Sequence, residues 1–276
     1  MQRTSTFPLR LPFSNFRTDP RHYQIFFLGS FLTLGVGWLG WHLQLYDYLA
    51  LFAACLGMQA LLITAVGGDW RSLKSAVITA LGLCLLLKTN ALLTLALGGS
   101  FAILSKFALR YKGKHLFNPA NFGIVSVLLL TNDAWVSPGQ WGSNALLLFL
   151  FAAAGLMILR KVGRLETSLV FLLVFGGLSF ATEVLYKGWP TDLWLHKMMN
   201  GSLLLFAFFM ITDPKSIPDH RRARILWAGL IGLAVYLLGT WLYVHTAVVW
   251  VLFAASPLTL LFDKLWPAKR FQWQAK

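Results

Sequence analysis

The sequence predicts an all-α polytopic membrane protein of about ten transmembrane segments, with two re-entrant short helices in an inverted repeat. Three observations carry this. Of 276 residues, 57% are hydrophobic and 12% charged, with a mean hydropathy of +0.65, a balance unlike that of soluble domains. The Lys and Arg residues fall in short clusters between apolar runs, the pattern that marks cytoplasmic loops during insertion. Two apolar runs too short to cross a bilayer begin at Asn118-Pro119 and Asn200-Gly201, 82 positions apart, each headed by a residue suited to capping a helix.

Taken in order, residues 1–22 carry Arg3, Arg10, Arg17 and Arg21 and read as a cytoplasmic arm against anionic lipid headgroups. Tyr23 to Trp41 is long enough to span and lacks a small-residue cleavage site, so it reads as a retained helix. Tyr46 to Val66 is the second span. Gly67 to Lys74 turns the chain back into a short third run, Ser75 to Leu87. Ala91 to Leu109 is the fourth, where Gly98, Gly99 and Ser100 let another helix approach closely.

Arg110 to Phe117 must then lead from the basic surface to the cap at Asn118, which predicts a re-entrant loop and a short helix ending near Thr131. Thr131 to Gly142 is a polar connection with Trp135 and Trp141 at the interface. Ser143 to Leu159 and Glu166 to Leu185 are the sixth and seventh spans. Tyr186 to Met199 reads as a second re-entrant loop, followed by the short helix from Asn200 and its close at Thr212-Asp213. Arg224 to Tyr243 and His245 to Leu265 complete the membrane domain, residues 23–265, and 266–276 form a cytoplasmic tail.

With both termini in the cytoplasm, every Lys and Arg except Lys88, Lys187 and Lys197 lies on the inner side. This bias supports ten crossings in the inner, plasma membrane. It also relates residues 71–133 to residues 143–214 by inversion. The formal net charge of +14 is explained by topology and does not call for nucleic acid. Cys55 and Cys84 stand singly in apolar runs and read as small buried hydrophobes. No nucleophile, triad, phosphate loop or metal cluster emerges, so no catalytic or metal-ligating residue is assigned.

Irregular backbone at membrane depth requires protein or a polar cavity around it. The two helix starts therefore predict one central pocket with free amides. Its expected lining is Phe117, Asn118, Asn121, Phe122, Asn200 and Ser202, with Met198 and Met199 as pliable walls and Thr212 and Asp213 at the far end. Such a lining suits an aromatic ligand rich in acceptors, a flavin or a quinone, better than a bare cation. The same residues equally cap two short helices in a dry core with no ligand. Glu183, within the seventh run, is a functional candidate by its depth, or a partner for Lys187 one turn later.

Lys114-His-Leu-Phe-Asn-Pro-Ala-Asn-Phe-Gly123 and Phe208-Phe-Met-Ile-Thr-Asp-Pro214 resemble the signature stretches of a redox membrane family. That family comprises the RnfD component of the Rnf electron transport complex and the NqrB component of the sodium-translocating NADH:quinone oxidoreductase. Pro138-Gly-Gln-Trp-Gly142 resembles the family's Pro-Gly-x-x-Gly. The chain is also similar to membrane proteins found beside enediyne biosynthesis genes. The resemblance implies a ten-helix inverted-repeat fold, flavin-linked electron transfer coupled to ion movement, and other membrane or redox subunits as partners. It departs at one point: the Ser-Gly-Ala-Thr type segment whose threonine carries FMN in that family is absent from this sequence, so covalent FMN is not expected. The leading expectation is an electron-relay subunit holding FMN, riboflavin or a quinone noncovalently. The alternatives are a transporter or channel for a small solute and a purely structural membrane subunit.

Overall fold

A computed structural model describes residues 19–41, 45–137 and 145–273. Most of the arm and the Pro138–Gly142 stretch lie outside the described residues.

Asp19 starts α1, Pro20–Gly37, by accepting from the Arg21 backbone N–H at 3.0 Å, with proline in the position that needs no donor. Helix α2, Leu45–Val66, packs against α3, Leu73–Leu86, and α4, Leu92–Ala108. Strand β1, Leu87–Thr89, continues α3 and pairs antiparallel with β4, Ala134–Val136, Leu87 opposite Val136. Between them the hairpin of β2, Arg110–Tyr111, and β3, Lys114–His115, leads to α5, Pro119–Leu130. The second half contains α6, Ala145–Val162, and α7, Leu165–Phe180, which runs on as a π-helical stretch to Tyr186. Helix α8, Thr191–Met198, precedes α9, Gly201–Leu205, itself extended in π geometry from Phe206 to Met210. Helices α10, Arg221–Thr240, α11, Ala247–Ala255, and α12, Leu258–Leu265, follow.

Among the described residues, three helices are long and apolar enough to cross a membrane: Leu45–Val66, Leu165–Tyr186 and Arg221–Thr240. The pairs α8–α9 and α11–α12, bent by 49° and 51°, bring the number to five if each is one span. The described chain is therefore mostly helical with three to five candidate spans. Leu61, Leu93, Leu173 and Leu230 are exposed along α2, α4, α7 and α10, a surface that water disfavours and hydrocarbon does not.

The interior holds Leu83, Ile103, Ile124, Phe171, Phe206 and Trp227, each almost fully buried. Helices α4 and α5 meet at glycine. A Cβ on Gly123 would lie 2.4 Å from the Gly98 carbonyl oxygen and 2.8 Å from Ala102 Cβ, so only hydrogen permits this approach. Cys55 closes the α2–α4 contact, its Sγ 3.7 Å from the Gly99 carbonyl. Helix α7 packs along α10, α11 along α5, and α6 on the π stretch after α9, which joins the two halves.

Candidate functional site

Both short helices start with the same local chemistry. Asn118, at φ −65° and ψ 126°, accepts from the Asn121 backbone N–H at 3.0 Å. Asn200, at φ −62° and ψ 128°, accepts from the Ser202 and Leu203 N–H groups at 3.0 and 3.3 Å, and from the Ser202 hydroxyl at 2.6 Å. In each case an extended residue turns its side-chain oxygen onto amides that the helix cannot satisfy.

The helices then meet head to tail. Asn118 Nδ2 donates to the Met210 carbonyl at 3.3 Å, and Met210 ends the helix that Asn200 begins. The two caps are thus separated by ten residues of helix, about 15 Å at ~1.5 Å per residue. Where the sequence suggests one pocket between two helix starts, the structure places Asn118 and Asn200 on two cavities. The contact joins the N-terminus of one short helix to the C-terminal end of the other, which leaves Asn200, at the far end of its helix, on a second cavity.

The Asn118 cavity, about 90 Å³, is lined by Arg21, Gln24, Ser75, Asn118, Met210 and Asp213 among others. Asp213 forms a turn, its carboxylate accepting from the Lys215 N–H at 3.2 Å and the Ser216 hydroxyl at 3.1 Å. Burial raises its pKa above the ordinary carboxylate value, opposed by those hydrogen bonds and by the charges of Lys215 and Lys106. Lys106 lies buried on α4, where Nζ donates to the Ser75 carbonyl at 3.0 Å and hydroxyl at 3.2 Å. Thr212 is bonded back to the Phe208 carbonyl at 2.6 Å.

Asn121 is fully buried, with Nδ2 donating to the Val249 carbonyl at 3.2 Å on α11. Phe117 stacks on Phe253 at 4.9 Å between ring centres and lies 5.3 Å from Phe122. These three residues pack α5 against α11 and line neither cavity.

The Asn200 cavity, about 260 Å³, is lined by Phe175, Lys197, Asn200, Ser202, Val235 and His245 among others. Lys197 bonds Glu183 at 2.6 Å and lies over the Phe175 ring, 5.3 Å from its centre. Glu183 is thus partnered by Lys197 and not by Lys187, because the π stretch and the bend into α8 bring residue 197 back onto it. Sequence spacing along one helix could not reveal this pair. Lys197, His245 and the Glu183 link are the polar features that sequence reasoning left without a role.

Neither cavity reaches the ~300–1,000 Å³ usual for a cofactor or drug-sized ligand. The Asn118 cavity has room only for water-sized guests and does not fit a three-ring flavin. The Asn200 cavity combines a lysine ammonium, a cap amide nitrogen uncommitted among the described residues, an imidazole and an aromatic wall. That donor set and size suit a single-ring acceptor such as a quinone head.

Residues 129–272, just over half of the chain, match the model of the NQR2, RnfD, RnfE family. Curated relatives agree. The chain is 31% identical over 121 residues to the RnfD member of the ion-translocating oxidoreductase complex of Cellvibrio japonicus, 41% of this chain and 31% of that protein. The corresponding proteins of Haemophilus ducreyi and Yersinia pseudotuberculosis serotype O:1b are 30% and 33% identical, each over 89 residues, 32% of this chain and 25% of theirs. The matched stretch thus spans only a quarter to a third of these relatives. Given a match over more than half its length, this chain, a mostly helical membrane protein, belongs to the NQR2, RnfD, RnfE family.

Proposed function

We propose that this chain is the membrane-embedded subunit of an ion-translocating oxidoreductase assembly, holding a quinone head group noncovalently in the Asn200 cavity. The observation that carries the reading is the cavity at Lys197, Asn200, Ser202 and His245, about 260 Å³ and walled by Phe175. The bound carrier would supply the electron transfer, and the protein's residues hold it. Glu183 fixes Lys197, and the cap bonds fix the Asn200 side chain through its Oδ1, so the ammonium and the Asn200 Nδ2 need little reorganisation to meet a carbonyl oxygen.

Ten crossings with both termini cytoplasmic, in the inner membrane, fit the charge distribution and the short elements. Helix α3 has 14 residues, about 21 Å, and β1 adds three, about 10 Å, which together approach the ~30 Å hydrocarbon core. Pairing with β4 satisfies the backbone of β1, as depth requires. In this topology the Asn118 cavity lies toward the cytoplasm and the Asn200 cavity toward the outside. Blocks 71–133 and 143–214 are then inverted counterparts, and further redox subunits supply the electron donor.

The test is retention of carrier by gently purified protein. Lys197→Met and Asn200→Ala should lower the extracted carrier-to-protein ratio several-fold while keeping membrane yield, and Asn118→Ala should leave it unchanged. Equal retention in all three moves the site elsewhere. A carrier-free wild type that passes a solute in liposomes favours the transporter reading.

A further inference from the structure

A larger cavity, about 770 Å³, lies apart from both caps, where the start of α1, the α6–α7 turn, the start of α10 and residues 268–273 converge. Lys161, Arg164, Arg221, Arg224, Lys269 and Arg270 line it, with Asp219 as its acidic member.

The carboxylates near it are already engaged. Glu166 accepts from Arg224 Nε at 3.0 Å, and Asp219 is paired with Lys114 at 3.2 Å. All the other Asp and Glu of the chain also lie among the described residues, and no ion pair among those residues reaches Lys161, Arg164, Arg221, Lys269 or Arg270. Arg164 Nε is buried and meets no acceptor among the described residues. Burial and then the neighbouring Arg224 lower its pKa to about 10, so it stays charged at neutral pH.

Aromatic rings complete the walls. Lys161 Nζ sits 3.3 Å from the centre of Tyr23, Arg164 lies 5.4 Å from Phe271, and Arg21 lies 5.4 Å from Trp273. Arg270 donates to the Tyr111 carbonyl at 3.2 Å, which holds the 268–273 segment over the cavity. Topology signalling asks only that cations lie on this face. It does not ask that five of them without a carboxylate share one concave site of ligand size.

We infer that this cavity binds a phosphate-bearing anion, with Arg164, Arg221 and Lys269 as its principal phosphate contacts and Tyr23, Phe271 and Trp273 against the less polar part of the ligand. Guanidinium forks match phosphate oxygens, and a wall of rings beside them suits a ligand that is charged at one end only. Two sources share this chemistry: a phospholipid headgroup of the inner leaflet and a soluble phosphate compound. The inference is independent of the carrier site at Asn200.

The test uses the full chain in nanodiscs and two arms. In the first, delipidated protein is returned to phosphatidylcholine with or without phosphatidylglycerol, and retained lipid is counted by native mass spectrometry. In the second, pyrophosphate is titrated into protein in phosphatidylcholine alone, and the thermal midpoint is followed. Arg164→Gln/Lys269→Gln should weaken binding about tenfold or more, since two charge-assisted contacts are lost. Lys112→Gln/Lys264→Gln, which removes equal charge outside the cavity, should leave it unchanged. Lys269→Gln alone provides a variant on an exposed segment should the double variant fold poorly, and should weaken binding in the same direction. Specific loss in the first arm identifies a lipid headgroup, and in the second a soluble phosphate. Equal behaviour of cavity and control variants in both arms overturns the site.

Discussion

Asn118 Nδ2 donates to the Met210 carbonyl at 3.3 Å, so the side chain that starts one short helix also grips the end of the other. Met210 is the last residue of the π stretch Phe206–Met210, so its carbonyl is one that the helix end leaves open, and it accepts from the Asp213 N–H at 3.3 Å as well. One residue thus caps and cross-links.

Asn118→Ala removes both functions and should destabilise the protein by about 1–3 kcal/mol, combining a lost N-cap with a weakened buried acceptor. Asn118→Ser keeps a capping oxygen and should fall between wild type and alanine. Thermal unfolding in one detergent orders the three.

Gly123→Ala should be among the most disruptive single-methyl additions, because its Cβ would lie 2.4 Å from backbone oxygen and backbone cannot rotate aside. Overpacking of this kind costs about 1–3 kcal/mol. Unchanged stability would mean that α4 and α5 separate easily, which a disulfide or crosslink between them would then reveal.

The Glu183–Lys197 pair predicts a sign. Glu183→Gln leaves the ammonium without its counter-ion and should destabilise by about 1–3 kcal/mol, whereas Glu183→Gln/Lys197→Met removes both charges and should recover part of that loss. A double variant less stable than the sum of the singles would contradict the pairing.

His115 is buried on β3, and burial, followed by the charges of Lys106, Lys215 and Arg110, lowers its pKa to about 2 from 6.5. The unfolded chain therefore binds a proton below pH 6.5 that the folded protein refuses until about pH 2. Stability from this group is full above 6.5 and falls with acidification by about 1.4 kcal/mol per pH unit. His115→Gln should flatten the midpoint-versus-pH curve between pH 6.5 and 5. Parallel curves for the two proteins would show that the imidazole titrates normally.

Much of the local chemistry was legible in the residues. Asn-Pro and Asn-Gly announced both helix starts, because capping depends on a side chain and its next three amides. Membrane character followed from composition. What escaped depends on contacts between distant segments. Strands β1 and β4 have three residues each, too few for an alternating pattern, and β1 continues an apolar run. The π stretches after Phe180 and Leu205 leave no sequence mark, and neither the Glu183–Lys197 pair nor the Asn118–Met210 bond follows from spacing along one helix. The expectation of one pocket between two caps rested on helix starts alone, whereas the start of one helix meets the end of the other and the caps lie on separate cavities.

The most direct test of the carrier reading is an absorption spectrum of gently purified wild-type protein, followed by denaturation and mass-spectrometric identification of what is released. One quinone per chain should appear, freed without breaking a covalent bond. A released flavin would contradict the assignment of the Asn200 cavity, and a folded protein carrying neither would contradict the redox carrier itself.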